Sequence, residues 1–134
     1  ARQGSTRAPQ WTGGGVVFAP TPRDYSFTMN KKEKRLALKS ALTSRVQENK
    51  LVVLDELKFD GIKTKNMKAV LDALNVKKAL IVLKENDQNV VLSARNLADV
   101  RTVLTNTINV FDILKYNTVV VTKAAVETIE EVYA

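Results

Sequence analysis

The stretch Thr64-Lys-Asn-Met-Lys-Ala-Val-Leu-Asp-Ala-Leu-Asn-Val-Lys-Lys-Ala-Leu-Ile-Val-Leu83 changes period halfway along. Over Thr64–Asn75 the apolar residues Met67, Val70, Leu71 and Leu74 recur at helical spacing, which predicts an amphipathic helix. Over Ala79–Leu83 every residue is apolar, which predicts a short strand buried on both faces. A strand of that kind needs helices above and below it. The residues on either side repeat the alternation. Leu51–Leu57 and Thr118–Thr122 read as further buried strands, and Thr102–Leu104 as a weaker one. Between and after them, Gln88–Val100, Asn109–Tyr116 (with Val110, Ile113 and Leu114) and Ala124–Tyr133 read as helices. Such alternation defines βαβ units and an α/β fold, with a parallel sheet covered on both faces and right-handed crossovers. No internal repeat is present.

Upstream of the first strand, good helix formers run from Asn30 to Asn49. Asn30 followed by Glu33 fits the reciprocal arrangement that caps a helix N-terminus. Leu38, Ala41, Leu42 and Val46 form the expected core stripe, while Lys31, Arg35 and Lys39 share another face that Lys32 and Lys34 widen. Residues 1–29 have neither period. They hold four of the five glycines (Gly4, Gly13, Gly14, Gly15) and all three prolines, interleaved with Arg7, Trp11, Arg23 and Tyr25. We expect an extended arm over 1–29, with a short strand at Val16–Phe18, and a globular body over 30–134. A loop this long is as a rule functional or disordered, and a segment of this composition is typically ordered only by a partner.

Charge divides along the same line. Residues 1–50 carry ten Lys/Arg and three Asp/Glu, a balance of +7, whereas residues 51–134 carry eleven of each and sum to zero. A cationic extension on a neutral body points to a polyanionic partner. Arginine forks onto phosphates and stacks on bases, and Trp11, Phe18, Tyr25 and Phe27 add stacking surfaces. For Lys31–Lys39 taken alone, a merely solvated face is an equal alternative.

Other chemistries find little support. The chain has no Cys and no His, which removes disulfides, thiolate catalysis and the commonest general base and metal ligand. Neither glycine-rich nucleotide motif occurs. The residues after two predicted strands, Lys58-Phe59-Asp60-Gly61 and Lys84-Glu85-Asn86-Asp87, hold one glycine and carboxylates that repel phosphate. The adjacent pairs Asp55-Glu56 and Glu130-Glu131 point to different sides of their elements and read as solvated charge. The cluster Gly13-Gly14-Gly15 reads as a flexible or closely packed turn that could also lie flush against RNA. No enzyme activity, cofactor or metal is expected. There is no run long enough to span a bilayer and no visible secretory signal, so we expect no membrane partner and a cytosolic setting. The opening at Ala1 resembles the middle of a longer chain, and a fragment is expected.

Two stretches carry a family resemblance: Ala1-Arg-Gln-Gly-Ser-Thr-Arg-Ala-Pro-Gln-Trp-Thr-Gly-Gly-Gly-Val-Val-Phe18 and Asn30-Lys-Lys-Glu-Lys-Arg-Leu-Ala-Leu-Lys-Ser-Ala-Leu42. They resemble the returning arm of the long internal loop, and the helix after it, of ribosomal protein four of the large subunit in its bacterial form. Lys63-Thr64-Lys65, Ser93-Ala94-Arg95-Asn96 and Thr118–Thr122 are similar to later family stretches. The resemblance implies a three-layer α/β/α body with a four-stranded parallel sheet, seated on large-subunit ribosomal RNA. It further implies a loop directed to the peptide exit tunnel, a part in subunit assembly, neighbouring ribosomal proteins as partners, and in some members control of their own messenger RNA. Carried over by position, Arg2, Arg7, Trp11, Gly13, Gly14, Gly15 and Arg23 would be loop contacts with RNA. Lys31, Lys32, Lys34, Arg35 and Lys39 would be contacts near the loop's base, with Lys63, Lys65 and Arg95 as weaker ones. Thr12 stands where members often carry a basic residue, and the family's N-terminal third has no counterpart here. A structural ribosomal RNA-binding protein is the expectation. A nucleotide-binding α/β enzyme, or a regulator that binds messenger RNA through the same basic face, is the alternative.

Overall fold

A computed structural model describes residues 4–133 of the chain; Arg2, one of the expected RNA contacts, lies outside them. The elements run in the order α1 (Lys31–Gln47), β1 (Leu51–Leu54), α2 (Thr64–Ala73), β2 (Ala79–Leu83), α3 (Gln88–Arg95), β3 (Val100–Leu104), a 3-10 turn (Thr105–Thr107), α4 (Val110–Lys115), β4 (Thr118–Thr122) and α5 (Lys123–Tyr133). The four strands form one sheet in the order β1-β4-β2-β3, every pairing parallel.

Side-chain alternation along the central strands divides the core in two. Leu80 and Val82 of β2, with Val119 and Val121 of β4, face Leu38 and Ala41 of α1, Ile113 of α4 and Ala125 of α5. Ala79, Ile81 and Leu83, with Val120, face Met67 and Leu71 of α2 and Val90 and Ala94 of α3. The molecule is therefore a three-layer α/β/α fold, with α1, α4 and α5 on one side of the sheet and α2 and α3 on the other. All five β2 residues are buried, which is why that strand is apolar on both faces.

Helix ends obey local chemistry. Asn49 and Asn75 both take φ 54°, the left-handed conformation that Asn tolerates better than most residues. Beyond them the Lys50 N–H donates to the Arg45 carbonyl at 2.9 Å, and the Val76 N–H to the Leu71 carbonyl at 3.0 Å. Each Asn thus stops its helix and turns the chain toward the next strand. Asp87 caps α3, its carboxylate accepting from the Asn89 N–H at 2.9 Å.

Several sequence expectations are corrected. The Asn30 side chain makes no capping hydrogen bond; only its carbonyl joins the helix, accepting from the Lys34 N–H at 3.1 Å. Val46 is 57% exposed, and Arg45 occupies the buried position after Leu38 and Ala41. The inward stripe is thereby rotated by one residue. Strand β1 stops at Leu54, because the charged pair Asp55-Glu56 turns out to solvent, although Leu57 still packs into the core. Helix α3 ends at Arg95 rather than Val100, which instead opens β3 opposite Ala79. Helix α4 is shorter than Asn109–Tyr116, with Leu114 exposed. Val16–Phe18 form no strand, and all three side chains are exposed.

Candidate nucleic-acid interface

From Gly4 to Asn30 the chain contains no helix or strand, and the first buried residue among those described is Leu38. The arm is not featureless. Its residues 5–15 make local backbone turns, including a Gly15 N–H to Arg7 carbonyl hydrogen bond at 2.9 Å. Farther along, the Arg23 guanidinium lies over the Tyr25 ring, 4.2 Å from its centroid, an arrangement worth about 0.5–1 kcal/mol at an exposed site. Next to it Asp24 accepts from the Ser26 N–H and hydroxyl, both at 2.8 Å. These bonds, the backbone one foremost, hold the Asp24 carboxyl below its usual range. The single acid of residues 1–29 is thus satisfied within its own turn.

Helix α1 carries the second group. Lys31, Lys32, Lys34, Arg35 and Lys39 are all exposed, and four of the five fall in the first five residues of the helix. That is the end where unsatisfied N–H groups already place positive potential, so these cations oppose the helix dipole. Glu33 is the single acid there. None of the five takes part in an ion pair among the described residues, nor do Arg7, Arg23, Lys63, Lys65 and Arg95. The described pairs use Arg45, Lys50, Lys58, Lys78 and Arg101 instead.

Lys63, Lys65 and Arg95 lie elsewhere, at the start of α2 and the end of α3. The Lys63 N–H donates to the buried Ser93 hydroxyl at 3.0 Å, tying the start of α2 to the last turn of α3, two residues before Arg95. All three side chains are exposed, on the α2/α3 layer rather than the α1 layer. The structure therefore splits the expected contacts between the two sides of the sheet.

Sequence reasoning missed the residue that seats the basic helix. Arg45 is 7% exposed, and its Nε and Nη2 donate to the Ile113 and Leu114 carbonyls at 3.0 and 3.1 Å. Its Nη1 meets Glu48 at 2.9 Å, and Lys50 reaches the same carboxylate at 2.8 Å. Chiefly through the Lys50 contact, the Glu48 carboxyl is held below its usual range. An arginine at an inward helical position, with Glu three residues later, was the available signal.

The strand C-terminal ends, where a doubly wound fold would bind a nucleotide, form a cleft of about 480 Å³. Its lining includes Asp55, Glu56, Glu85 and Asp87 against Lys58 and Lys84, and Lys58 is paired with Glu56. Carboxylates dominate, and they oppose a phosphate.

A family model described as the ribosomal protein L4/L1 family matches residues 1–132, and the chain belongs to that family. It is 73% identical over its whole length to the large ribosomal subunit protein uL4 of Agathobacter rectalis. The proteins of that name from Lachnoclostridium phytofermentans and Lachnospira eligens are 68% and 65% identical over the same 134 residues. The chain spans 65% of the length of each of these relatives.

Proposed function

We propose that this chain acts as a structural component of the large ribosomal subunit, binding large-subunit ribosomal RNA through residues 1–29 as an arm and through the exposed face of α1 in the body over 30–134. The observation that carries this reading is the set of described candidate cations, none with an acidic partner. Unpaired cations at a helix N-terminus are locally unfavourable, and a polyanion laid across them relieves that repulsion. Membership of a ribosomal protein family supports the same partner, and so does the exposure of Trp11, Phe18, Tyr25, Phe27, Arg7 and Arg23. The arm neutralises closely packed phosphates and wedges between RNA helices during assembly, directed toward the peptide exit tunnel. The body holds the arm's base in place. Neighbouring ribosomal proteins are the further partners, and the setting is the cytoplasmic ribosome. Among the described residues no helix is long and apolar enough to cross a membrane.

Cosedimentation with large subunits at moderate salt tests the proposal. If about six phosphates are engaged, the affinity for RNA falls with salt at a log–log slope of roughly −4 to −5. A chain that stays in the supernatant, or binds with no salt dependence, overturns the reading. A messenger RNA folded like the ribosomal site would be held by the same cations, and we extend the proposal to the chain's own messenger on that basis, with competition between the two RNAs as its test. Mononucleotides are expected to leave the thermal unfolding midpoint unchanged.

A further inference from the structure

The start of the arm closes on itself. The 2.9 Å bond from the Gly15 N–H to the Arg7 carbonyl seals a loop over residues 7–15. Inside it the Trp11 N–H donates to the Ala8 carbonyl at 3.1 Å, and the Gly14 N–H to the Trp11 carbonyl at 2.9 Å. Two of its glycines are required by this closure. Gly13 has φ +77°, a conformation that side chains disfavour. At Gly14 a Cβ would stand 2.0 Å from the Ala8 carbonyl oxygen, backbone that cannot move aside without opening the loop. What the loop displays is Trp11, 49% exposed, with no aromatic or cationic group stacked on its ring among the described residues. Arg7, also outside the buried core and free of ion pairs, stands at the point of closure. No acid occurs before Asp24.

We infer that this closed loop is a preformed site for one unstacked RNA nucleotide, with the Trp11 indole stacking on the base and Arg7 holding the adjoining phosphate. The inference rests on the proposed RNA binding and sharpens it. Gly13 and Gly14 act by keeping the loop shut, not by lying against RNA. A π-face accepts any base, so the site tolerates sequence but demands an unpaired nucleotide. Closure before binding lowers the ordering cost that an unstructured arm would meet.

Trp11 is the only tryptophan in the chain, so its fluorescence reports this site alone. The probe is an end-labelled oligoadenylate of about 12 nucleotides, within the length a single-strand-binding surface tracks. Inorganic polyphosphate serves as the base-free control. RNA is expected to quench Trp11 emission and shield it from acrylamide, whereas polyphosphate binds without doing so. Gly14→Ala, which leaves the charge unchanged, and Trp11→Ala are each expected to weaken oligoadenylate binding about tenfold, the loss of one stacked base. Trp11→Phe retains most of the affinity. If the oligonucleotide's anisotropy rises while Trp11 emission stays constant, or if Gly14→Ala binds like the parent, the inference fails and the broader reading stands. If the parent chain produces no anisotropy change, the inference fails as well, and cosedimentation with large subunits decides the broader reading separately.

Discussion

Arg45 shows how far a charge count differs from available charge. It contributes to the +7 of the first fifty residues, yet its guanidinium lies inside the fold with two backbone carbonyls of α4 and the Glu48 carboxylate as partners. Lys50 shares that carboxylate. What remains for a polyanion in α1 is the unpaired set Lys31, Lys32, Lys34, Arg35 and Lys39. Arg45→Met keeps the apolar stem but strands the buried Ile113 carbonyl, together with a part-buried one at Leu114. Unsatisfied buried acceptors of this kind cost about 1–3 kcal/mol. Thermal or urea unfolding of the variant is expected to show a loss in that range. RNA affinity, measured well below the unfolding midpoint, is expected to change less than twofold, because Arg45 is not a phosphate contact. A large loss of affinity in a folded variant would place Arg45 in the interface instead.

Elements obey local rules unevenly, and α1 shows why. Its end was legible, since Asn49 is one of the few non-glycine residues suited to a left-handed stop, and Asn75 repeats the device at the end of α2. Its beginning was not: Asn30 has the residue type and the extended backbone of a cap, but its side chain goes unused. The buried stripe was displaced by one residue because hydrophobicity alone favours Val46 over Arg45, and only the tertiary position of α4 supplies carbonyls for a guanidinium. Strand identities were legible because β2 and β4 must be apolar on both faces. Their neighbours' lengths were not, since Leu57 is buried without belonging to a strand. The crowding of cations at the N-terminus of α1 yields a test with opposite signs for folding and binding. Replacing Lys31 and Lys32 by Glu puts acids where the helix dipole favours them, a gain of about 0.3–1 kcal/mol per site at low ionic strength. The double variant is expected to melt higher than the parent and to bind RNA at least tenfold more weakly, with a shallower salt dependence. A merely solvated helix face would give the first result without the second.

At the scale of the whole molecule, the fold separates what must be packed from what must remain available. Among the described residues nothing before Leu38 is buried, and the cores on both sides of the sheet draw only on residues from α1 onward. The three-layer architecture was therefore readable from residues 51–134, where alternating periods have no competing explanation. The candidate site is visible in the sequence as composition, arginine and lysine with few acids, but not as geometry. Nothing in the sequence says that Lys63, Lys65 and Arg95 fall on the layer opposite α1, or that residues 7–15 close by one hydrogen bond. Those relations depend on contacts between segments, such as the Lys63 N–H bond to Ser93, thirty residues away. Removing residues 1–23 tests the division directly. Among the described residues the deletion takes away no buried side chain, so the thermal unfolding midpoint is expected to stay within a degree or two of the parent, as for surface changes below about 0.5 kcal/mol. It does remove Arg2, Arg7 and Arg23, three of the cations assigned to phosphates. Each engaged phosphate contributes about 0.7–0.9 to the magnitude of the salt slope, so the truncated chain is expected to bind RNA with a slope shallower by roughly 2–3. Parallel melts and salt titrations of the two chains measure both quantities. A truncated chain that loses several kcal/mol of stability would place the arm inside the core, and one whose salt slope is unchanged would leave all the binding to the body.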